Sequence, residues 1–290
     1  MAPRRLEAAL EAKSKWGGRG KWLAGGTDFV PRMKGDVAVP ECLIALHRIG
    51  VLREMRQNGQ GLSIGSMVTL HKVTQSPLVM ERWPLLRQAV VEIGSEAIRS
   101  VGTLGGNICN GSPAADSLPA LLVMQAELNL RGPERERRVP ISDFFLGPSR
   151  TALGKEEILT SIILPLLPDG HRSVYLKLGR KRRGDIALVG AAIMLVPQGD
   201  GRVEEVRIGL GGVAPTPIRA KGAEGLVPGK TLDDSLIEKI ASKAAEESRP
   251  ISDIRGSADY KREMVSVLVK RGLKRVWDDS EPMEASAATK

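Results

Sequence analysis

Leu23-Ala24-Gly25-Gly26-Thr27-Asp28-Phe29-Val30 and, later in the chain, Ser100-Val101-Gly102-Thr103-Leu104-Gly105-Gly106-Asn107-Ile108 share one local design. Each carries a Gly-Gly pair followed by a small polar residue. Without a Cβ, glycine reaches positive φ and lets the backbone come close to a ligand, and consecutive N–H groups in such a turn converge on an anion such as a pyrophosphate. Each segment is therefore expected to be an anion-facing turn. The second runs on into Ser112-Pro113-Ala114-Ala115-Asp116.

Working outward, Leu6 to Lys13 combines helix formers with apolar residues at helical spacing, and Gly17-Gly18 stops it. Trp22-Leu23-Ala24 is then a short strand delivering the first glycine segment. Cys42 to Leu46 is a buried strand, Leu62 to Val68 an alternating one, and Val68 to Val73 opens a short helix. Pro84 to Ile93 is apolar at helical spacing, and its partner runs from Ala114 to Gln125, broken by Pro119. That break puts Asp116 near a helix N-terminus, where aspartate is also a good capping residue. Glu127 to Arg131 is a strand, Pro133 to Arg138 a charged surface loop, and Ile158 to Leu164 another strand. Pro165-Leu166-Leu167-Pro168-Asp169-Gly170 has the composition of a linker. Beyond it, Val174 to Leu178, Ile186 to Val196 and Val203 to Leu210 are strands of an antiparallel sheet. Two amphipathic helices, around Leu236 to Ala245 and Tyr260 to Val276, close it.

The chain has 290 residues, 42% hydrophobic and 27% charged, which are values of an ordinary enzyme subunit. No uncharged apolar run approaches the roughly 20 residues a bilayer needs, and the charged start lacks the pattern of a secretory signal. A cytoplasmic address is expected. Two cysteines, Cys42 and Cys109, form no metal-binding pattern. Cys109 is either a small buried hydrophobe or a redox thiol beside the second glycine segment. The net charge of +9 raises nucleic-acid binding, but aromatic residues are only 3% and basic groups are interspersed with acidic ones, which disfavours it. The densest basic run is Lys177, Arg180, Lys181, Arg182 and Arg183, either a solvated turn or part of a wall for an anionic ligand.

The two glycine segments, the Ser112 to Asp116 run, Glu157-Ile158-Leu159, Ile163-Leu164-Pro165, Tyr175-Leu176-Lys177, Arg182 to Val189 and Asp253 to Arg262 together resemble the FAD-binding medium subunit of molybdenum hydroxylases, the family of xanthine dehydrogenase and carbon monoxide dehydrogenase. The resemblance spans about residues 6 to 277. It implies an α+β fold with a two-subdomain FAD-binding domain (PCMH, vanillyl-alcohol-oxidase-like) over residues 1–170, divided into subdomains of about 1–50 and 51–170. A C-terminal domain of antiparallel sheet plus helices follows over 171–277, with a flexible tail at 278–290. The family usually starts with an extra strand before the first helix; here the chain begins almost at the helix, so either the start is misplaced or that strand is missing.

The implied chemistry is electron transfer. A molybdenum–pterin large subunit oxidises substrate, a small subunit with two [2Fe–2S] clusters relays electrons, and FAD on this chain passes them to NAD⁺ or another acceptor. No catalytic or metal-ligating residue is expected here. By the same resemblance, Leu23, Ala24, Gly25, Gly26, Thr27, Asp28 and Phe29 hold the pyrophosphate, and Thr103, Leu104, Gly105, Gly106 and Asn107 lie against the flavin or its phosphates, Thr103 and Asn107 as side-chain donors. Asp116 accepts from cofactor hydroxyls or amines, Leu159 lies at the cofactor, and Asp185 and Ile186 form a turn covering part of the ring. Lys177 stands at the N1–C2=O edge of the flavin, where a cation raises its potential; its alternative is a surface strand lysine. Ile93 replaces the aromatic residue of animal-type xanthine dehydrogenases, which weighs against a closely similar NAD⁺ pocket. A stand-alone flavin oxidoreductase of the vanillyl alcohol oxidase type and a basic binding module are the competing readings.

Overall fold

In the computed structural model, which describes residues 1–35, 39–181, 184–198 and 201–278, Leu6–Trp16 is helical and Gly17 ends it. The buried Lys13 ammonium closes that end, donating to the carbonyls of Gly17 and Gly20, each at 2.7 Å. The chain then enters the strand Gly20–Leu23, which pairs in parallel with Cys42–Ala45. Ala9 and Leu10 of the helix pack on Cys42 and Ile44 with Leu46, Ile49 and Leu52, a small core of its own. Met1 lies alongside the second strand, its amine donating to Leu43 and its carbonyl accepting from Ala45.

A five-stranded antiparallel sheet follows, in the order Met55–Asn58, Gly61–Gly65, Ile158–Pro165, Glu127–Arg131, Glu136–Pro140. Register places Ile64 opposite Ile162 and Ile162 opposite Leu128, all fully buried. The helices Pro84–Val91 and Ser117–Val123 supply Leu85, Leu86, Leu118 and Leu121 to the same core. Trp83 is buried there with its indole N–H donating to the Pro165 carbonyl at 3.1 Å.

Three expectations change in this region. The charged segment expected as a loop is in part the edge strand Glu136–Pro140, because Val139 drops into the core while charged neighbours cover the open edge. Arg137 on this strand makes a two-pronged ion pair with Glu157, 2.7 Å on each arm, holding the Glu157 carboxyl below its usual range. Pro119 does not break its helix; it is the third residue of Ser117–Val123, where a missing N–H removes no intrahelical bond. Third, Ile186 precedes the strand it was expected to open, which begins at Val189.

The C-terminal part is a four-stranded antiparallel sheet, in the order Arg172–Leu178, Val189–Pro197, Val203–Gly211, Ile218–Arg219. The helices Asp234–Glu247 and Ala258–Trp277 cover one face. Strand alternation divides the buried residues between two cores. Val174, Ala191, Ile193 and Leu195 join Ile237, Ile240, Val265 and Leu273 on the helical side. Tyr175, Ala192 and Met194 point the other way, into the core of the five-stranded sheet and its helices. This parity brings Tyr175 and Lys177, two residues apart on one strand face, to the preceding part of the molecule. Among the described residues no helix is long and apolar enough to cross a membrane. Arg182, Arg183 and the tail from residue 279 lie outside the described residues.

Candidate functional site

A cleft of about 480 Å³ opens where the Gly20–Leu23 strand, the helix after Thr103 and the loop before Val189 meet, a size typical of small-molecule sites. Leu23, Ala24, Gly25, Gly26, Thr27, Asp28 and Phe29 line it, as do Thr103, Gly105, Gly106, Asn107, Asp116, Leu159, Asp185 and Ile186. Leu104 and Lys177 do not. Leu104 is fully buried in the core behind the wall.

The first glycine segment is a turn, as expected, and two backbone facts hold it. A Cβ on Gly25 would lie 2.2 Å from the Val101 carbonyl oxygen, so the segment rests directly on the Val101–Gly102 backbone. Gly26 has φ of +73°, and its carbonyl accepts from Val30, turning the chain into the helix Phe29–Met33. Among the described residues the N–H groups of Gly25, Gly26, Thr27 and Asp28 meet no protein acceptor. These residues are half-buried to exposed, so their amides are open to water or to a ligand, and consecutive donors in a turn suit an anion.

The second segment is not a turn. Thr103 caps the helix Leu104–Asn110 and its hydroxyl accepts from Gly106 N–H at 3.0 Å. The other early amides are also occupied: Leu104 donates to Val68, Gly105 to Ser66, and Asn107 to Thr103. Capping chemistry outweighs turn chemistry here because a threonine precedes the pair at the N-cap position. The absent side chain of Gly105 serves packing, since a Cβ there would lie 2.6 Å from the Ser66 carbonyl oxygen. Asn107 is fixed by Ser117, whose hydroxyl donates to its Oδ1 at 2.6 Å, leaving the amide nitrogen for the cleft.

Asp116 stands at the head of Ser117–Val123 but makes no cap. Its Oδ1 accepts from the Tyr175 hydroxyl at 2.8 Å and its Oδ2 from the Lys177 ammonium at 2.9 Å, and Lys177 donates also to the Glu92 carbonyl at 2.9 Å. Lys177 is thus neither a surface lysine nor a cleft-lining one; its side chain is only 8% exposed and sits directly behind Asp116. Burial pushes the Asp116 carboxyl up to about 6 against the pull of Lys177 and Tyr175, and the same burial raises the Tyr175 phenol. Asp185 organises its own loop, its carboxylate accepting from the N–H groups of Arg180, Lys181 and Ile186 and held below its usual range by those bonds despite some desolvation. Ile186 is half exposed beside the cleft.

Residues that carried no motif also line the cleft, among them Arg32, Ser66, Met67, Leu70 and Ile98. Arg32, one helical turn after Asp28, could have been found from that spacing; the others follow only from packing. Ile93 is at the cleft wall, where its replacement of an aromatic residue was expected to matter. Burial pushes the Cys109 thiol, also on the wall, up to about 12. That direction favours the neutral thiol over the thiolate.

A cleft with amides free of protein acceptors at one wall and, at another, a buried carboxylate backed by a lysine and a tyrosine has the features of a site for an anionic cofactor. The profile described as "FAD binding domain in molybdopterin dehydrogenase" matches residues 1–167, and that of the "CO dehydrogenase flavoprotein C-terminal domain" matches residues 174–276. The chain belongs to this family, the FAD-binding subunits of molybdenum hydroxylases, and is an oxidoreductase subunit. It is 36% identical to the carbon monoxide dehydrogenase medium chain of Hydrogenophaga pseudoflava, across 95% of this chain and 96% of that one. It is 37% identical to the glyceraldehyde dehydrogenase medium chain of Sulfolobus acidocaldarius, across 88% and 89%. Among solved structures, a carbon monoxide dehydrogenase from Hydrogenophaga pseudoflava lacking the Mo-pyranopterin moiety superposes with a TM-score of 0.92 at 37% identity, covering 96% of each chain. Quinoline 2-oxidoreductase from Pseudomonas putida 86 does so with a TM-score of 0.90 at 28% identity, covering 96% of this chain and 95% of that one.

Proposed function

We propose that this chain holds FAD in the 480 Å³ cleft and serves as the electron-transfer subunit of a molybdenum hydroxylase complex. Electrons arrive from the [2Fe–2S] clusters of a small partner subunit, while a molybdenum–pterin large subunit oxidises the substrate. The observation that carries the reading is the run of amides from Gly25 to Asp28 at the cleft wall, free of protein acceptors among the described residues and suited to a diphosphate. Bound flavin supplies redox chemistry, taking electrons singly and releasing them singly or in pairs.

Leu23 to Phe29 hold the diphosphate. Thr103, Gly105, Gly106 and the Asn107 amide form the adjoining wall, with Leu104 as its apolar backing. Asp116 receives cofactor donors through the lone pairs that Tyr175 and Lys177 leave unused, and Lys177 acts on the flavin through Asp116. Leu159, Asp185 and Ile186 enclose the remaining side. Medium chains of carbon monoxide and glyceraldehyde dehydrogenases among the relatives support the multi-subunit setting. Ile93 at the wall favours an acceptor other than NAD⁺ bound as in animal-type xanthine dehydrogenases.

The domain division is part of this reading: an FAD-binding domain to about residue 170 with subdomains meeting near residue 50, and a C-terminal domain to about 277. Three buried clusters follow this division in outline, with Tyr175, Ala192 and Met194 reaching into the central one and Met67 and Ile158 into the N-terminal one. A vanillyl-alcohol-oxidase-like form for the first domain is part of it too, supported by its small parallel pair beside a larger antiparallel sheet. A cytoplasmic address belongs to the reading as well, supported by its ordinary enzyme composition. The test is the visible spectrum of the purified chain with and without added FAD, followed by chromatography of the released cofactor. Flavin bands and release of FAD are expected; a colourless chain that leaves FAD fluorescence unquenched, alone and co-expressed with its partners, would remove the proposal.

A further inference from the structure

Ser66 follows the strand Gly61–Gly65 and lines the cleft, yet no motif points to it. It is 5% exposed, and its hydroxyl oxygen is buried with no protein partner. Its backbone is fully engaged, the N–H donating to the Thr160 carbonyl at 2.9 Å and the carbonyl accepting from Gly105 N–H at 3.0 Å. Only the side chain is left over. A buried hydroxyl without a partner carries a desolvation cost, and native structures seldom retain one without a role.

The surroundings say which ligand atom suits it. Gly105 is pressed onto this serine, a Cβ there falling 2.5 Å from Ser66 Cβ. The next residue, Gly106, is pressed onto the first glycine segment, a Cβ there falling 3.3 Å from Ala24 Cβ. The Gly105–Gly106 step is therefore sandwiched between Ser66 and the start of the segment whose amides are unpaired, and all of them line one cleft. The amides of Gly105 and Gly106 are used within the protein, so this wall offers a ligand its donors through side chains. A hydroxyl across one glycine step from the first glycine segment and lining the same cleft is placed to donate to the same anion, and bonds to charged oxygens are about twice as strong as neutral ones.

We propose that Ser66 Oγ donates a hydrogen bond to a phosphate oxygen of the bound dinucleotide, completing from a second wall the cradle begun by the Gly25 to Asp28 amides. This rests on the FAD reading above. The test is Ser66→Ala in the full chain, which keeps the Cβ against Gly105. Four quantities are compared with the unaltered chain: the thermal midpoint without cofactor, and the affinities for FAD, ADP and riboflavin by fluorescence titration and competition. The midpoint without cofactor should hold or rise, since an unsatisfied hydroxyl has been removed. FAD and ADP affinities should fall by a similar factor, about five- to tenfold, with riboflavin binding unchanged. Unaltered FAD affinity overturns the proposal while leaving the FAD reading intact, as does a loss confined to riboflavin. A lowered midpoint with unchanged affinity also overturns it, by making the hydroxyl structural. If the unaltered chain binds neither FAD nor ADP, both alone and co-expressed with its partners, the FAD reading fails and the Ser66 assignment with it.

Discussion

The two Gly-Gly segments share a cleft and almost the same residue types, but their N–H groups go to different places. In the first, the amides from Gly25 to Asp28 meet no protein acceptor among the described residues. In the second, the amides of Leu104, Gly105, Gly106 and Asn107 all bond within the protein. A glycine pair therefore says only that backbone comes close to something. At Gly25 and Gly105 that something is another stretch of backbone, and only the residues around Gly26 also present donors to a ligand. What separates the cases is the residue two places before the pair: Thr103, in extended conformation, caps a helix, whereas Leu23 in that place cannot.

The largest expected effect comes from Gly25→Ala, whose new methyl would sit 2.2 Å from the Val101 carbonyl oxygen. Urea unfolding should show a loss of roughly 3 kcal/mol or more, because neither backbone can give way cheaply. A milder loss at Gly106, where the nearest atom is 2.9 Å away and belongs to a side chain, would sharpen the contrast; a harmless Gly25→Ala would break it.

Asp116→Ala tests the wall that neither glycine segment supplies. It leaves the Lys177 ammonium buried with the Glu92 carbonyl alone, and loss of a partner from such a pair costs about 3 kcal/mol. FAD affinity should fall too. Wild-type stability and affinity in the variant, measured by unfolding and titration, would make the cluster incidental.

The same carboxyl predicts a pH dependence. Its folded value of about 6 lies above the ordinary 3.8, so between these pH values the folded protein keeps a proton that the unfolded chain has lost. Stability contributed by this group therefore falls as pH rises through that window, by at most about 1.4 kcal/mol per pH unit. Subtracting the unfolding profile of Asp116→Asn isolates it; a difference that rises with pH in this range contradicts the burial argument.

Thr103→Ala is the smallest change. Loss of the cap should cost about 1 kcal/mol, and Thr103→Ser should restore it. A change without effect on thermal stability would mean that the second segment is not held as a helix start.

Most of this architecture could be read in advance because its signals are local. The apolar spacing of Pro84–Val91 and the alternation in Gly61–Gly65 each specify an element without reference to the rest. The misreadings are all cases where tertiary context decides. Pro119 looks like a breaker until it falls in a first turn, and Glu136–Pro140 looks like a loop until Val139 has a core to enter. The pairing of Lys177 with Asp116 likewise joins residues 61 apart in sequence, so no local signal announces it. Ser66 was invisible because a lone serine has no spacing to recognise, and its hydroxyl stands out only once every neighbour's hydrogen bonds are known.

Amide hydrogen exchange of the full chain, with and without FAD, tests the central contrast most directly. The N–H groups from Gly25 to Asp28 should exchange quickly in the free protein and become protected when FAD binds, while those from Leu104 to Asn107 should be protected in both states. Protection gained at Leu104 to Asn107 with none at Gly25 to Asp28 would contradict the account.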